Sequence, residues 1–297
     1  MRLALATALL ASFACAAARA ERVDVQPRWR VGDHVTYRLT GEITSVGMDS
    51  LGTRPATVVL DVTEATRDGW LVTWRKVPLP DAATQAASDV QRALRDAAAV
   101  PMTLRLDARG RLLEVVNWQQ VRDARLRLAE AKQRYRAARG TSPGTLADDM
   151  AWARTSVASE AAVRATQGYE PQVLLATVGH AYDSTAAADE PGEAPGPAGD
   201  SVAPVTLRFE LQSLHAAAHR ASLRVTQHAL PVAARRGLAE ATPASGAASL
   251  RATPAPSNAS ITFVADVDVR TGWPRTARAD QSREGGRIIE TTQFERR

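Results

Sequence analysis

The chain has 297 residues, a formal net charge of +5 and an aromatic content of only 5%. Arg2 and Arg19 fall in the first twenty residues, which leaves +3 for the rest, a charge too small to indicate a nucleic-acid partner. The one cysteine is Cys15. Beyond it, the sequence therefore excludes disulfides, thiol catalysis and cysteine-ligated metals.

The first twenty residues have the order of a secretory signal peptide. Arg2 precedes an apolar run over 3–18, and Ala18-Arg19-Ala20 supplies the small residues of a cleavage site. The run is shorter than the roughly 20 residues that span a bilayer, and the residues before Cys15 do not fit a lipoprotein signal. We expect cleavage after Ala20 and a periplasmic or secreted protein; an uncleaved anchor and a lipidated Cys15 are the alternatives.

Alternation of period two predicts strands, most clearly where Val35, Tyr37 and Leu39 share one face. The same pattern recurs at 57–64, 70–76, 102–106, 112–116, 205–211 and 223–225, and over the closing segments 261–269, 275–281 and 287–294. The turn signals Asp68-Gly69 and Asp107-Ala108-Arg109-Gly110 predict that the strands on either side of each form antiparallel hairpins.

A helical insert over 117–168 separates the strand groups. Apolar or small residues recur at spacings of three and four from Val121 to Ala138. A second amphipathic segment begins near Thr145, so we expect an αα-hairpin. Residues 82–98 are Ala-rich and fit a helix or a mobile cover.

Two segments have a low-complexity composition. Residues 184–204 and 239–260 are rich in Ala, Pro, Gly and Ser and contain little to bury, so we expect disordered loops there. The remaining elements predict a single domain over 21–297. Its expected class is α+β, mainly antiparallel β, as one curved sheet or half-open barrel with a helical-hairpin insert; two smaller sheets are the alternative.

Three short segments carry a resemblance to a known family. They are Trp29-Arg30-Val31-Gly32-Asp33 with the Tyr37 strand, Asp107–Gly110 with Val115-Val116-Asn117, and 268–274. The chain resembles exported bacterial proteins of unknown function with the half-open barrel of LolA-type periplasmic lipoprotein carriers. The resemblance covers about a fifth of the chain and consists mostly of turn residues. It implies the fold and, more weakly, a lipid-like ligand.

Three aromatic residues are candidates for lining a ligand groove: Tyr37, Trp70 and Trp74, which lie on strand faces. An apolar site is usually lined by aromatic and aliphatic side chains. The low aromatic content of the chain argues against a large aromatic groove, and the alternative is that these rings belong to the core.

A strongly basic face is predicted on the first helix of the insert. Its members are Arg122, Arg125, Arg127, Lys132, Arg134, Arg136 and Arg139, here called the basic surface. Such a face fits an anionic membrane surface or an acidic envelope protein. The alternative is a solvated helix face.

Two weaker candidates concern metal or hydrolytic chemistry. His215 and His219 are four residues apart, a spacing found in helical zinc sites, but their neighbours have the pattern of strand, turn and strand. Asp266 and Asp268 could bind calcium or act in hydrolysis; the alternative is a solvated strand face.

The sequence contains no nucleophile elbow, phosphate-cradling loop or dinucleotide fingerprint. We therefore assign no catalytic residue and no cofactor. The leading hypothesis is a non-enzymatic periplasmic protein that binds an apolar or lipid-like ligand on a curved sheet. The alternatives are an envelope interaction or assembly subunit and, more weakly, a metal-dependent hydrolase.

Overall fold

The computed structural model describes residues 21–45, 51–78, 92–93, 96–97, 99–195, 202–229, 260–283 and 288–297. The predicted signal peptide lies outside the described residues, as do 239–259 of the second low-complexity segment and most of 82–98. Residues 92–93, 96–97 and 99 are helical. Among the described residues, no helix combines the length and the apolar character needed to cross a bilayer.

The strands of the described residues are β1 Arg22–Val25, β2 His34–Ser45, β3 Leu51–Thr66, β4 Gly69–Pro78, β5 Met102–Asp107, β6 Leu112–Val115, β7 His180–Asp183, β8 Ala188–Pro195, β9 Val202–His215, β10 Arg220–Ala229, β11 Ser260–Asp268, β12 Pro274–Arg283 and β13 Ile288–Arg296. The helices that can be traced from end to end are α1 Trp118–Ala137, α2 Pro143–Thr155, α3 Glu160–Thr166 and α4 Tyr169–Leu175, and one 3₁₀ turn spans Ala216–Ala218.

One antiparallel sheet contains eleven of the strands. Their order is β6-β5-β4-β3-β2-β13-β12-β11-β10-β9-β8, while β1 and β7 form a separate two-stranded ribbon. All the pairings are antiparallel, and the predicted hairpins β3–β4 and β5–β6 are present. The continuous sheet, not two smaller ones, is therefore the correct alternative.

The sheet curves around the helices without closing. Helix α3 contacts both edge strands, β6 and β8, whereas α4 contacts β12 and β13 in the middle of the sheet. Glu160 of α3 accepts a hydrogen bond from the backbone N–H of Val115 in β6, at 3.0 Å, which satisfies a donor that a bare sheet edge leaves open. The predicted class, a curved antiparallel sheet with a helical-hairpin insert, is confirmed.

The alternation predicted from the sequence decides which face of the sheet is buried. In β2, Val35, Tyr37 and Leu39 are buried on the inner face, and the residues between them are more exposed. Buried residues from both halves of the sheet join residues of α3 and α4 in one hydrophobic cluster. The core of the molecule therefore lies in the concavity of the sheet.

The β3–β4 turn shows how local chemistry sets a hairpin. Gly69 has φ +153°, and a Cβ placed on it would lie 2.0 Å from the carbonyl oxygen of Leu106 in β5. Only glycine allows β5 to pair this closely beside the turn. The Asp68-Gly69 signal therefore fixes the hairpin and leaves room for the next strand.

Helices α1 and α2 pack against each other as the predicted αα-hairpin. The buried face of α1 consists of Val121, Ala124, Leu128 and Ala131. Ser142 caps α2 by accepting a hydrogen bond from the N–H of Thr145 at 3.2 Å, which satisfies one of the free donors at a helix start. The helices continue beyond the expected boundary at 168 to Leu175.

The segment 184–204, expected to be disordered, contains strand β8 and the first residues of β9. Strand β8 pairs with β9 from Ala188↔Phe209 to Pro195↔Val202. It is an edge strand, where proline is tolerated because one side of the backbone has no strand partner. The composition was misleading because the apolar partner residues lie in β9, outside the low-complexity part.

Candidate functional site

Tyr37 is the innermost of the three residues predicted to line a ligand groove. It is fully buried, and its hydroxyl donates a hydrogen bond to the carbonyl oxygen of Pro274 at 2.8 Å. Burial raises the pKa of Tyr37 well above its ordinary value, although the charge of Arg296 acts in the opposite direction. The phenol is therefore a neutral hydrogen-bond donor that links β2 to the start of β12.

Trp74 lies beside Tyr37 on the inner face, and Phe294 of β13 lies between them. Phe294 meets Trp74 edge-on at 6.0 Å between ring centroids and Tyr37 at 6.3 Å, both in T-shaped geometry, an arrangement that aromatic rings favour. Sequence reasoning overlooked Phe294, although its alternating strand was recognised. These three rings form the inner wall at the centre of the sheet.

Trp70 belongs to a second aromatic group at one end of the concavity. It is half-buried and lies 5.2 Å from Trp29, which stacks on Trp273 at 4.3 Å. The indole Nε1 of Trp29 is buried and has no hydrogen-bond partner among the described residues. Two of the segments that carry the family resemblance, 29–33 and 268–274, thus meet at this stack.

Helix α4 covers the inner wall. Its residues Val173, Leu174 and Leu175 are buried. It contacts β12, where the inward-facing residues are the small side chains Ala277 and Ala279. Small side chains let a helix approach a sheet closely. The concave face is therefore occupied by the chain's own helix in the state described.

Glu170 connects helix α4 to strand β4 through an ion pair. Its Oε1 lies 2.5 Å from Nζ of Lys76 on β4. Arg125 of the basic surface also acts with Glu170: burial lowers the pKa of Arg125, and the charge of Glu170 opposes that shift. Arg125 is half-buried; it does not stand on an open face with the other basic residues.

The remaining basic residues divide into two groups. Arg122 pairs with Asp123, Arg136 pairs with Asp149 of α2, and Arg139 lies over the ring of Tyr135 at 3.7 Å. The second group is Arg127, Lys132 and Arg134, which are exposed and have no ion-pair partner among the described residues. Arg127 and Arg134 line a groove of about 450 Å³ between α1 and the helical residues 92–93 and 96–97.

Trp152 on α2 is a functional candidate that sequence reasoning missed. Its exposed fraction is 68%, the highest among the large apolar side chains that the structure describes as exposed. The Arg136–Asp149 ion pair joins α1 to α2, and Trp152 lies three residues after Asp149, about one helical turn along α2. The signal available in the sequence was a tryptophan outside the apolar stripe of Leu146 and Met150.

The histidine pair lies at a turn. His215 ends β9, His219 directly precedes β10, and the 3₁₀ turn separates them. His219 has φ +51°, in the left-handed region, and both residues are exposed. Within the described residues, no group of three or more His, Cys, Asp or Glu side chains could hold a metal ion. The zinc site therefore stays a prediction with two ligands.

The two aspartates at the end of β11 are each engaged with arginine. Asp266 pairs with Arg220, and Asp268 accepts a hydrogen bond from the backbone N–H of Arg270 at 3.0 Å and lies 3.6 Å from Nη2 of Arg275. Burial acts to raise the pKa of Asp268, but the bonds from Arg270 and the charge of Arg275 outweigh it and hold the pKa below its ordinary value. Both carboxylates thus position guanidinium groups.

No protein-family model matches the chain, and no curated protein matches it. Among solved structures, one chain of lipovitellin, described under "Lipid-protein interactions in lipovitellin", aligns with a TM-score of 0.39 at 10% identity. The alignment covers 92% of this chain and 25% of the lipovitellin chain, so the chain spans about a quarter of that protein's length. The likeness is too low to support an inference about fold or ligand.

Proposed function

We propose that the protein is an exported envelope protein that binds an apolar or lipid-like ligand against the concave face of its sheet. The observation that supports this is the construction of that face. In the order of the sheet, the strands from β5 across β13 to β9 contribute apolar side chains to this face. The centre of the face is covered by the two seven-residue helices α3 and α4, and not by a second sheet. Helices of this length are marginal on their own and depend on the packing beneath them.

The ion pair between Lys76 and Glu170, here called the latch, holds helix α4 of the cover against the sheet. Glu170 on α4 meets Lys76 on the sheet, and α3 reaches both sheet edges, which do not pair with each other among the described strands. Lifting α4 breaks the Lys76–Glu170 pair and bares the wall around Tyr37, Trp74 and Phe294. An apolar ligand would then replace the buried side chains of α4 and recover their contribution to stability.

Native mass spectrometry on the mature protein purified from its own host tests the proposal directly. The expected result is a mass excess that disappears after solvent extraction, on a chain that begins at Glu21. A bare chain that also fails to bind the apolar probe N-phenyl-1-naphthylamine would contradict the proposal.

A second experiment tests the latch. Glu170→Gln weakens the hold on α4, so we expect it to raise the affinity for N-phenyl-1-naphthylamine several-fold. Arg105→Gln removes the exposed Arg105–Glu114 pair on the outer face and serves as the charge control. Tyr182→Phe removes the buried hydrogen bond from the Tyr182 hydroxyl to the carbonyl oxygen of Thr177. This variant shows how much a general loss of stability changes the affinity for the probe. Equal enhancement in all three variants would refute a specific cover.

The runner-up function is that of an interaction subunit for an acidic envelope partner. The observation that favours it is the combination of Trp152 with Arg127, Lys132 and Arg134 on one exposed helical hairpin. Tryptophan and arginine are the residues most enriched at binding hot spots. Reversing the charge of Arg127 and Arg134 should abolish capture of the partner, whereas reversing Arg122, which pairs with Asp123, should weaken it less. Flotation with anionic vesicles separates a membrane surface from a protein partner.

A further inference from the structure

A basic cavity lies at the ends of four neighbouring strands, β10 to β13. Its volume is about 410 Å³, and its lining residues are Arg220, Asp266, Arg275, Thr276, Glu295, Arg296 and Arg297. These residues are far apart in the sequence. Because neighbouring strands are antiparallel, the start of β10, the end of β11, the start of β12 and the end of β13 lie next to one another at one end of the strands. Nothing in the proposed apolar site uses them.

A β-bulge sets the position of Arg275. In the β11–β12 pairing, Asp266 faces Thr276 and Val267 faces Pro274, so Arg275 has no partner in the ladder. A bulge of this kind redirects a side chain that the regular pleat would place elsewhere. Asp268 holds Arg275 from one side, with 3.6 Å between Oδ2 and Nη2.

Arg275 also carries an unexplained donor. Its Nε is buried and has no hydrogen-bond partner among the described residues. Buried polar groups are nearly always satisfied, so such a donor calls for a partner from outside the chain. The same side chain lines the cavity, so a rotation of its guanidinium group would turn this donor toward an acceptor bound there.

The charge of the lining favours an anion. Four guanidinium groups face two carboxylates, and one of these, Asp266, is already paired with Arg220. Arg296 is exposed and faces Tyr37 in the β13–β2 ladder, at the end of β13. The lining side chains thus sum to a formal charge of +2, and Asp268, next to the cavity, offsets part of the charge on Arg275.

We infer that this cavity binds the phosphate group of a small molecule or of a lipid headgroup, with Arg275 and Arg296 as its main ligands and Arg220 as a third, held in place by Asp266. Guanidinium groups recognise phosphate through paired, charge-assisted hydrogen bonds. The volume exceeds that of one inorganic phosphate and falls within the range of small-molecule sites.

The test is calorimetric titration of the full-length mature protein with inorganic phosphate, at an ionic strength kept constant with chloride. The wild-type protein should bind, and Arg275→Gln and Arg296→Gln should each weaken binding by roughly tenfold or more, as expected for the loss of a hydrogen bond between charged groups. Arg278→Gln is the matched control, since Arg278 is also on β12 but pairs with Asp280 on the outer face.

Two results would overturn the inference: no phosphate binding beyond the chloride reference, or equal losses in Arg278→Gln and Arg296→Gln. Arg296 is exposed, so its variant keeps the test valid if Arg275→Gln fails to fold. Glycerol phosphate and phosphatidylglycerol vesicles then separate the two sources of the phosphate. Binding of N-phenyl-1-naphthylamine should be unchanged in Arg296→Gln, which keeps this inference independent of the apolar site.

Discussion

At the scale of single residues, His180 shows how burial competes with charge. Its imidazole is buried, stacks on Phe209 at 3.9 Å and lies 3.3 Å from Oε1 of Glu190. Burial lowers the pKa of His180, and the charge and hydrogen bond of Glu190 oppose the shift without cancelling it. The folded protein therefore holds His180 neutral where the unfolded chain would begin to protonate it.

This shift predicts a pH dependence of stability. Because the folded-state pKa lies below the ordinary value of 6.5, the contribution of His180 is complete above about pH 6.5 and is lost as the pH falls through the folded-state pKa. Urea unfolding between about pH 5 and 8 measures it. His180→Phe should flatten the acid limb of the curve, whereas the exposed His228→Gln should leave it unchanged. Identical acid limbs in the wild type and His180→Phe would contradict the assignment.

Truncation of Phe294 should cause a large loss of stability. The ring is fully buried between Tyr37 and Trp74, so Phe294→Ala leaves a cavity and should lower the free energy of unfolding by about 3–5 kcal/mol. Val264→Ala, on the outer face of β11, should cost less than about 1 kcal/mol. Chemical denaturation of both variants gives the comparison. A small loss at Phe294 would show that the inner wall repacks easily.

At the scale of elements, the strands could be predicted because apolar residues alternate along them, as Val35, Tyr37 and Leu39 do in β2. The αα-hairpin could be predicted because apolar residues recur every three or four positions along α1. Period-two and period-3.6 patterns are local, and the chain carries both clearly. Helix α4 was missed because Pro171 and Glu170 interrupt its apolar residues, although proline is tolerated in a first helical turn. Strand β8 was missed because the information for its pairing resides in β9.

The latch of α4 is open to a double-mutant cycle. Lys76 and Glu170 are 37% and 28% exposed, so their interaction is screened only in part. Glu170→Gln should destabilise the protein by roughly 1–3 kcal/mol, because it leaves Lys76 and the half-buried Arg125 without their carboxylate. Lys76→Met should recover part of that loss in the double variant. Strictly additive single effects would show that the pair contributes nothing.

At the scale of the whole molecule, the order of the strands could not be derived from the sequence. Alternation says which face of β2 is buried, but not that its neighbours are β3 and β13. The arginine cavity could not be predicted for the same reason: Arg220, Arg275 and Arg296 come close together only because β10, β11, β12 and β13 are successive neighbours in the sheet. Sequence reasoning singled out Tyr37, Trp70 and Trp74 as candidates for lining a ligand groove, which stays a prediction, and it missed Phe294, Trp152 and the arginine cavity.

Because β13 is the central strand of the sheet, we expect its removal to unfold the whole domain. Strand β13 lies between β2 and β12 and connects the two halves of the sheet. A chain that stops at 283 lacks this connection, so we expect neither half to fold and no cooperative unfolding transition. Replacing β8, at the sheet edge, with a Gly/Ser segment of equal length should leave a cooperative but less stable protein. Near-ultraviolet circular dichroism and denaturant titration distinguish the two. A cooperative transition in the truncated chain would mean that the halves fold separately.

The same central pairing also determines when the molecule can fold. Strand β2 comes from the beginning of the chain and β13 from its end, so the middle of the sheet joins residues separated by nearly the whole polypeptide. Folding slows as contacting residues become more distant in sequence, because the connecting chain must be closed before the contact is gained. The two halves of the sheet are therefore expected to join only after β13 has been synthesised, so most of the chain must wait for its last strand before the complete sheet can form.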